Sequence, residues 1–160
     1  MKSKAPLSLM EQMVMLLVFA LAAALCLQAF VKSDQISRQS EARDRAVVLC
    51  QSVAEVIRHN GGDLKEAMTQ VNGTEPGQRD GFWFENYDEN WKAITYEESG
   101  RGPLPTPSGS RTYTLWVREL DSGLSGLGKA NVEAFDCEGD GMESLFSIEV
   151  SWQKEVGGHG

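Results

Sequence analysis

One carboxylate in this chain stands where a carboxylate is costly. Glu11 lies two residues before Met13–Leu27 (MVMLLVFALAAALCL), an unbroken apolar run. A charge carried to the middle of a bilayer costs on the order of 2.5–3.5 kcal/mol, and less near the interface. A glutamate so placed either stays solvated among lipid headgroups or meets a cation, and a neighbouring helix laid alongside could supply one. The chemistry open to Glu11 is therefore pairing between membrane helices, not catalysis.

The other reactive side chains are scattered. Cys26, Cys50 and Cys137 form no CxxC pair, and His59 and His159 are the only histidines. A zinc site needs three or four such ligands brought together, and these spacings do not offer them. Because Cys26 falls inside the apolar run, a disulfide could join only Cys50 to Cys137; plain reduced thiols are the alternative and the expected state. The stretch Asp136-Cys-Glu-Gly-Asp140-Gly141 looks like the first half of a calcium loop. It lacks the third acidic ligand and puts Ser147 where the closing bidentate glutamate belongs, so it reads as an acidic, glycine-rich hairpin turn and no metal or cofactor is expected. Glu97 and Glu98 are adjacent and would point to opposite faces of a strand. No serine or cysteine has a base at a spacing that suggests a triad. The segment Ser122–Gly128 (SGLSGLG) lacks the strand-turn-helix setting of a phosphate loop. These patterns predict a protein that is not an enzyme and has no evident small-molecule substrate.

Charge narrows the partners further. Fifteen Lys and Arg stand against 23 Asp and Glu, a net charge of −8 with a pI near 4.8. A polyanion such as nucleic acid is repelled by that surface. The aromatic set Phe82, Trp83, Phe84, Tyr87, Trp91 and Tyr96 accordingly reads as core and sheet-face packing instead of a stacking platform for bases or sugars.

The elements that must position these residues follow from periodicity. With Gln28 tolerated, the apolar run reaches Val31, about nineteen residues, which at about 1.5 Å per residue matches the roughly 30 Å of a bilayer core. It shows no polar face, so residues 7–31 are predicted to be a transmembrane helix, with 1–6 a short basic leader. Lys2 and Lys4 precede the run, and near-cancelling charges from Lys32 to Arg45 follow it. By the positive-inside tendency this places the N-terminus in the cytoplasm and the remainder outside the membrane. Leu27 sits where a signal-peptidase site wants a small side chain, so the helix is expected to be retained. From residue 32 to 60 no Pro or Gly interrupts the chain, and Ile36, Val47, Cys50, Val53, Ala54 and Ile57 form an apolar stripe. Asn60-Gly61-Gly62 ends that helix.

Residues 61–160 read as a small α+β domain. Asp63 and Glu66 suggest a capping box for a short helix through Val71. Strands are expected over 81–87 and 91–96, a hairpin turning at Asp88–Asn90, then over Arg111–Leu120 and Lys129–Asp136. A last strand places Phe146, Ile148, Val150 and Trp152 on one face. About five antiparallel strands result, separated by a loop (SGRGPLPTPSGS) that cannot be regular structure. The economical arrangement packs the striped helix on the sheet's apolar face.

This organisation resembles type IV pilins and the pseudopilins of type II secretion and Gram-positive competence systems. In sequence the resemblance rests on residues 2–31: a short basic leader, then Leu7-Ser8-Leu9-Met10-Glu11 opening an apolar helix with an early glutamate. By position Pro6–Leu7 is the leader-processing junction. Pro6 stands where the family carries glycine or sometimes alanine, which leaves open whether the leader is removed. The resemblance implies a non-enzymatic structural subunit, with a minor role, of a pilus- or pseudopilus-like envelope assembly. Its partners would be membrane lipid, other pilin-like subunits and an assembly platform. Glu11 would then meet Lys4 or a freed Leu7 amine of a neighbour. A monomeric, membrane-tethered extracytoplasmic binding or sensory domain is the alternative.

Overall fold

A computed structural model describes residues 5–94, 111–137 and 141–154. The fold is α+β: a long N-terminal helix whose first part is apolar, and an antiparallel sheet. The chain divides into two compact units, one ending at Glu41 and one beginning at Ala42. Helix α1 (Ala5–His59) contributes to both.

In the first unit no described residue covers the apolar side chains from Leu9 to Val31. From Leu9 to Val31 the large hydrophobic residues are exposed by between 57% (Val18) and 80% (Phe30). The segment is long and apolar enough to cross a membrane. Beyond it, Asp34 and Arg38 form an exposed one-turn ion pair at 2.9 Å, the kind that adds only a few tenths of a kcal/mol to a helix.

In the second unit α1 acquires a buried stripe of Ala42, Ala46, Cys50, Val53, Ala54 and Ile57. This corrects the expected stripe. Ile36 is 56% exposed and Val47 only half-buried, while two alanines take their places. The helix ends as the glycines require: Gly61 and Gly62 have φ of 64° and 98°, and the Gly62 N–H donates to the Ile57 carbonyl at 2.9 Å, the six-residue closure of a Schellman motif. Helix α2 (Leu64–Asn72) starts at Asp63, whose side chain accepts from the Glu66 N–H, and stops at left-handed Gly73.

The sheet comprises β1 (Gly77–Arg79), β2 (Phe82–Tyr87), β3 (Ala93–Ile94), β4 (Thr112–Leu120), β5 (Leu127–Cys137) and β6 (Glu143–Gln153). All pairs are antiparallel, in the order β1-β2-β4-β5-β6, with β3 also on β2. Three features depart from expectation. Strand β1 is added through Asp80-Gly81, both at positive φ (48° and 81°), as in a type I′ two-residue turn. The β2–β3 turn is wider than Asp88–Asn90, because the Asp88 side chain accepts from the N–H groups of Asn90 and Lys92 and Trp91 takes a φ of 62°. In β6, Ala134 faces Phe146 and Phe135 faces Ser144, so Leu145 is an extra residue that bulges inward and is buried. The final strand's Val150 and Trp152 are buried and Phe146 and Ile148 half-buried, on the expected face.

The core lies between the α1 stripe, α2 and one face of the sheet, where Leu115, Val117, Val132, Ala134 and Val150 meet Val53 and Ile57. The Trp152 indole passes so close to Gly62 and Gly128 that a Cβ on either would lie 1.9 Å or 2.2 Å from it. The opposite face carries a second aromatic cluster: Trp116 stands 4.8 Å from both Phe82 and Phe135, ring centre to ring centre, and Phe84 adjoins Phe82 at 6.3 Å.

Candidate functional site

Glu11 lies on the exposed helical surface of the first unit. Its neighbours one turn away, Leu7 and Met15, carry no charge. Pro6 and Leu7 fall in the first turn of α1, where a missing N–H leaves no helical hydrogen bond unmade. Glu11 thus sits at the head of an uncovered apolar surface. Aliphatic surface on this scale is stable in lipid or against other apolar helices, and a backbone satisfied within one helix meets the bilayer's demand that no N–H or C=O be left bare.

The structure separates Cys50 from Cys137. Cys50 belongs to the α1 stripe and packs in the core, whereas the Cys137 thiol reaches Thr114 Oγ1 at 3.6 Å on the sheet's other face. Both thiols are free, and no bridge can pass through the sheet. Burial pushes the Cys50 thiol up to about 12, with the negative charge of Glu133 adding to the effect. Burial also raises Cys137. Neither is a nucleophile at neutral pH.

Asp136, first residue of the acidic stretch, belongs to β5 and is buried. Arg111 donates to its Oδ2 through both Nε (2.9 Å) and Nη2, while Oδ1 has no donor among the described residues. That carboxylate is committed to a guanidinium. Residues 138–140, with Asp140, lie outside the described residues, as do Tyr96, Glu97 and Glu98. Among the described residues no three His, Cys, Asp or Glu side chains converge as metal ligands.

The sequence reading missed Glu85. It sits on the core face of β2 at 4% exposure, between Trp83 and Tyr87. Thr74 Oγ1 donates to its Oε1 and Asn72 Nδ2 to its Oε2 at 2.6 Å, while Tyr87 Oη donates to Asn72 Oδ1 at 2.9 Å. Burial raises the Glu85 carboxyl, against the lowering effect of those two donors. The network ties the end of α2 to the sheet. A signal was present, since strict alternation through FWFENY puts Glu85 on the same face as two aromatics.

Beside this network a groove of about 600 Å³ runs between α1 and the β2–β3 turn, lined by Val48, Leu49, Val71, Tyr87, Trp91 and Ala93. Its lining is mostly apolar, with Asp44, Arg45, Ser52, Asn72 and Asn90 as the polar members.

The exposed span and the packed sheet define a class: an α+β domain carried on an N-terminal helix with the length and apolarity of a membrane or signal anchor. Neither a protein-family profile, nor a characterised protein, nor a solved structure matches the chain.

Proposed function

We propose that this protein is a structural subunit of a pilus- or pseudopilus-like envelope assembly, anchored in the membrane by α1 and presenting its sheet domain outside the cell membrane. The observation that carries the reading is the pairing of two properties in one helix. Through Val31 every large hydrophobic side chain described on α1 is uncovered, and from Ala42 the same helix supplies one wall of a domain core. A simple tether would need no such spine, because a flexible linker holds a domain at a membrane equally well. An assembly subunit would use both properties of the helix, its apolar part to pack with neighbouring helices and its buried stripe to hold the sheet domain. Glu11 at the head of the apolar surface then supplies the polar contact between adjacent helices, to Lys4 or to the amine of a processed Leu7.

Two measurements on the native membrane protein test this. Cross-linking in membranes should give a ladder of oligomers that Glu11→Ala reduces severalfold without loss of membrane insertion. Intact-mass measurement should show whether the chain starts at Leu7. A wild-type protein that cross-links only as a monomer overturns the assembly role and leaves the monomeric tethered domain, whereas a Glu11→Ala variant with an unchanged ladder removes Glu11 as the contact between helices.

A further inference from the structure

Among the described residues the sheet ends on one side in β6, eleven residues whose only described partner is β5. The other side ends in β1 and β3, which are three and two residues long and offer little backbone. A long edge strand exposes a row of N–H and C=O groups, and proteins usually blunt it with proline, lysine or a covering element. The sequence of β6, ESLFSIEVSWQ, contains no proline and no cation. Among the described residues its protection lies at the start of the strand, where the Leu145 bulge sits and Arg43 Nε donates to the Leu145 carbonyl at 3.2 Å. From Phe146 to Gln153, among the described residues, no hydrogen bond outside the β5 ladder reaches the strand's backbone.

The side chains state which strand would fit. On the core side Phe146 and Ile148 are half-buried, leaving apolar surface at the edge for another apolar residue to cover. On the outer side Ser147, Glu149 and Ser151 are exposed. The charges on β6 are Glu143 and Glu149, both negative, and Lys129 on β5 bonds Glu149 at 2.7 Å while leaving its side chain 58% exposed. We propose that β6 is a docking edge for an extended segment of a partner polypeptide in which apolar residues alternate with lysine or arginine. The partner's backbone would extend the ladder, its apolar residues would cover Phe146 and Ile148, and its cations would meet Glu149. A second copy of this chain fits less well, since β6 against β6 crowds the carboxylates of both copies into one ribbon.

The test uses the full chain in detergent micelles and a blocked decapeptide of alternating valine and lysine, with a valine–glutamate peptide as its counterpart. The basic peptide should raise amide-exchange protection in β6 at least tenfold, and the acidic peptide should not. Glu149→Lys with Ser151→Lys should weaken the basic peptide at least tenfold. A control of equal charge change at two exposed positions elsewhere, Glu55→Lys with Ser125→Lys, should keep binding. Should the β6 variant fail to fold, the two peptides on the unaltered chain decide the matter. The proposal is overturned by equal protection from both peptides, by protection outside β6 only, or by equal loss in the control. It is also overturned if β6 amides in the peptide-free protein become protected as protein concentration rises, which would assign the edge to a second copy.

Discussion

Trp91 lies face to face on Tyr113, with ring centroids 4.1 Å apart and planes 15° from parallel. To reach that stack its backbone takes a φ of 62°, a region that costs a bulky residue on the order of 1 kcal/mol or more. The stack and the closing of the groove wall offset that strain.

Strain and stacking can be separated by two substitutions. Trp91→Ala should destabilise the domain by about 1–3 kcal/mol, through lost contact area and an aromatic pair worth about 0.5–1.5 kcal/mol. Trp91→Gly loses the same contacts but relieves the backbone, so it should be the more stable variant by about 1 kcal/mol. Denaturant unfolding of both compares them directly, and an alanine variant as stable as the glycine one would show that the backbone there is unstrained.

The two glycines closing α1 should behave differently. Gly61→Ala meets nothing within 4 Å and pays only for its positive φ, about 1–2 kcal/mol. Gly62→Ala pays that and also drives a methyl into the Trp152 indole, adding about 1–3 kcal/mol of overpacking. Thermal unfolding should rank them in that order.

Thiol reactivity should follow the fold. In the folded protein in micelles, a thiol reagent at neutral pH should leave Cys50 and Cys137, both buried in the domain, unmodified until the domain unfolds. Mass spectrometry under non-reducing conditions should find no bond between residues 50 and 137. Cys50→Ser, which buries a hydroxyl in the stripe, should cost about 1–3 kcal/mol, and Cys50→Ala less.

Glu85 gives the domain a pH dependence of unusual sign. Its folded carboxyl is raised, chiefly by burial, so the folded state holds this proton to higher pH than the unfolded state does. Stability must then fall as pH rises from the ordinary carboxylate range through the raised value, and level off above it. Glu85→Gln keeps an acceptor for Thr74 or Asn72 and should flatten that part of the profile. Urea titrations at a series of pH values in the mildly acidic range would show it, and a profile identical in both proteins would remove Glu85 as its source.

Much of this architecture was legible because it depends on short-range periodicity. The apolar run through Val31, the stop at Asn60-Gly61-Gly62, the Asp63 cap and the alternation of Tyr113, Leu115 and Val117 each follow from spacings of a few residues, and the structure has them all. Asp80-Gly81 was equally local: its hairpin signal lies in the sequence, although the expected strand began at Gly81, inside that turn. What needed the tertiary structure was any property set by distance across the sheet. Residue spacing alone expected reduced thiols but left a Cys50–Cys137 bridge conceivable, and only the register of β4 on β5 turns Cys137 to the face away from Cys50. Leu145 is core because a bulge turns it inward, and Ala42 and Ala46 are core because the domain covers that face of α1. Glu85 is buried because α2 ends beside it with two donors. Periodicity records which way a side chain leaves its own backbone; burial and partnership depend on what the rest of the chain brings to meet it.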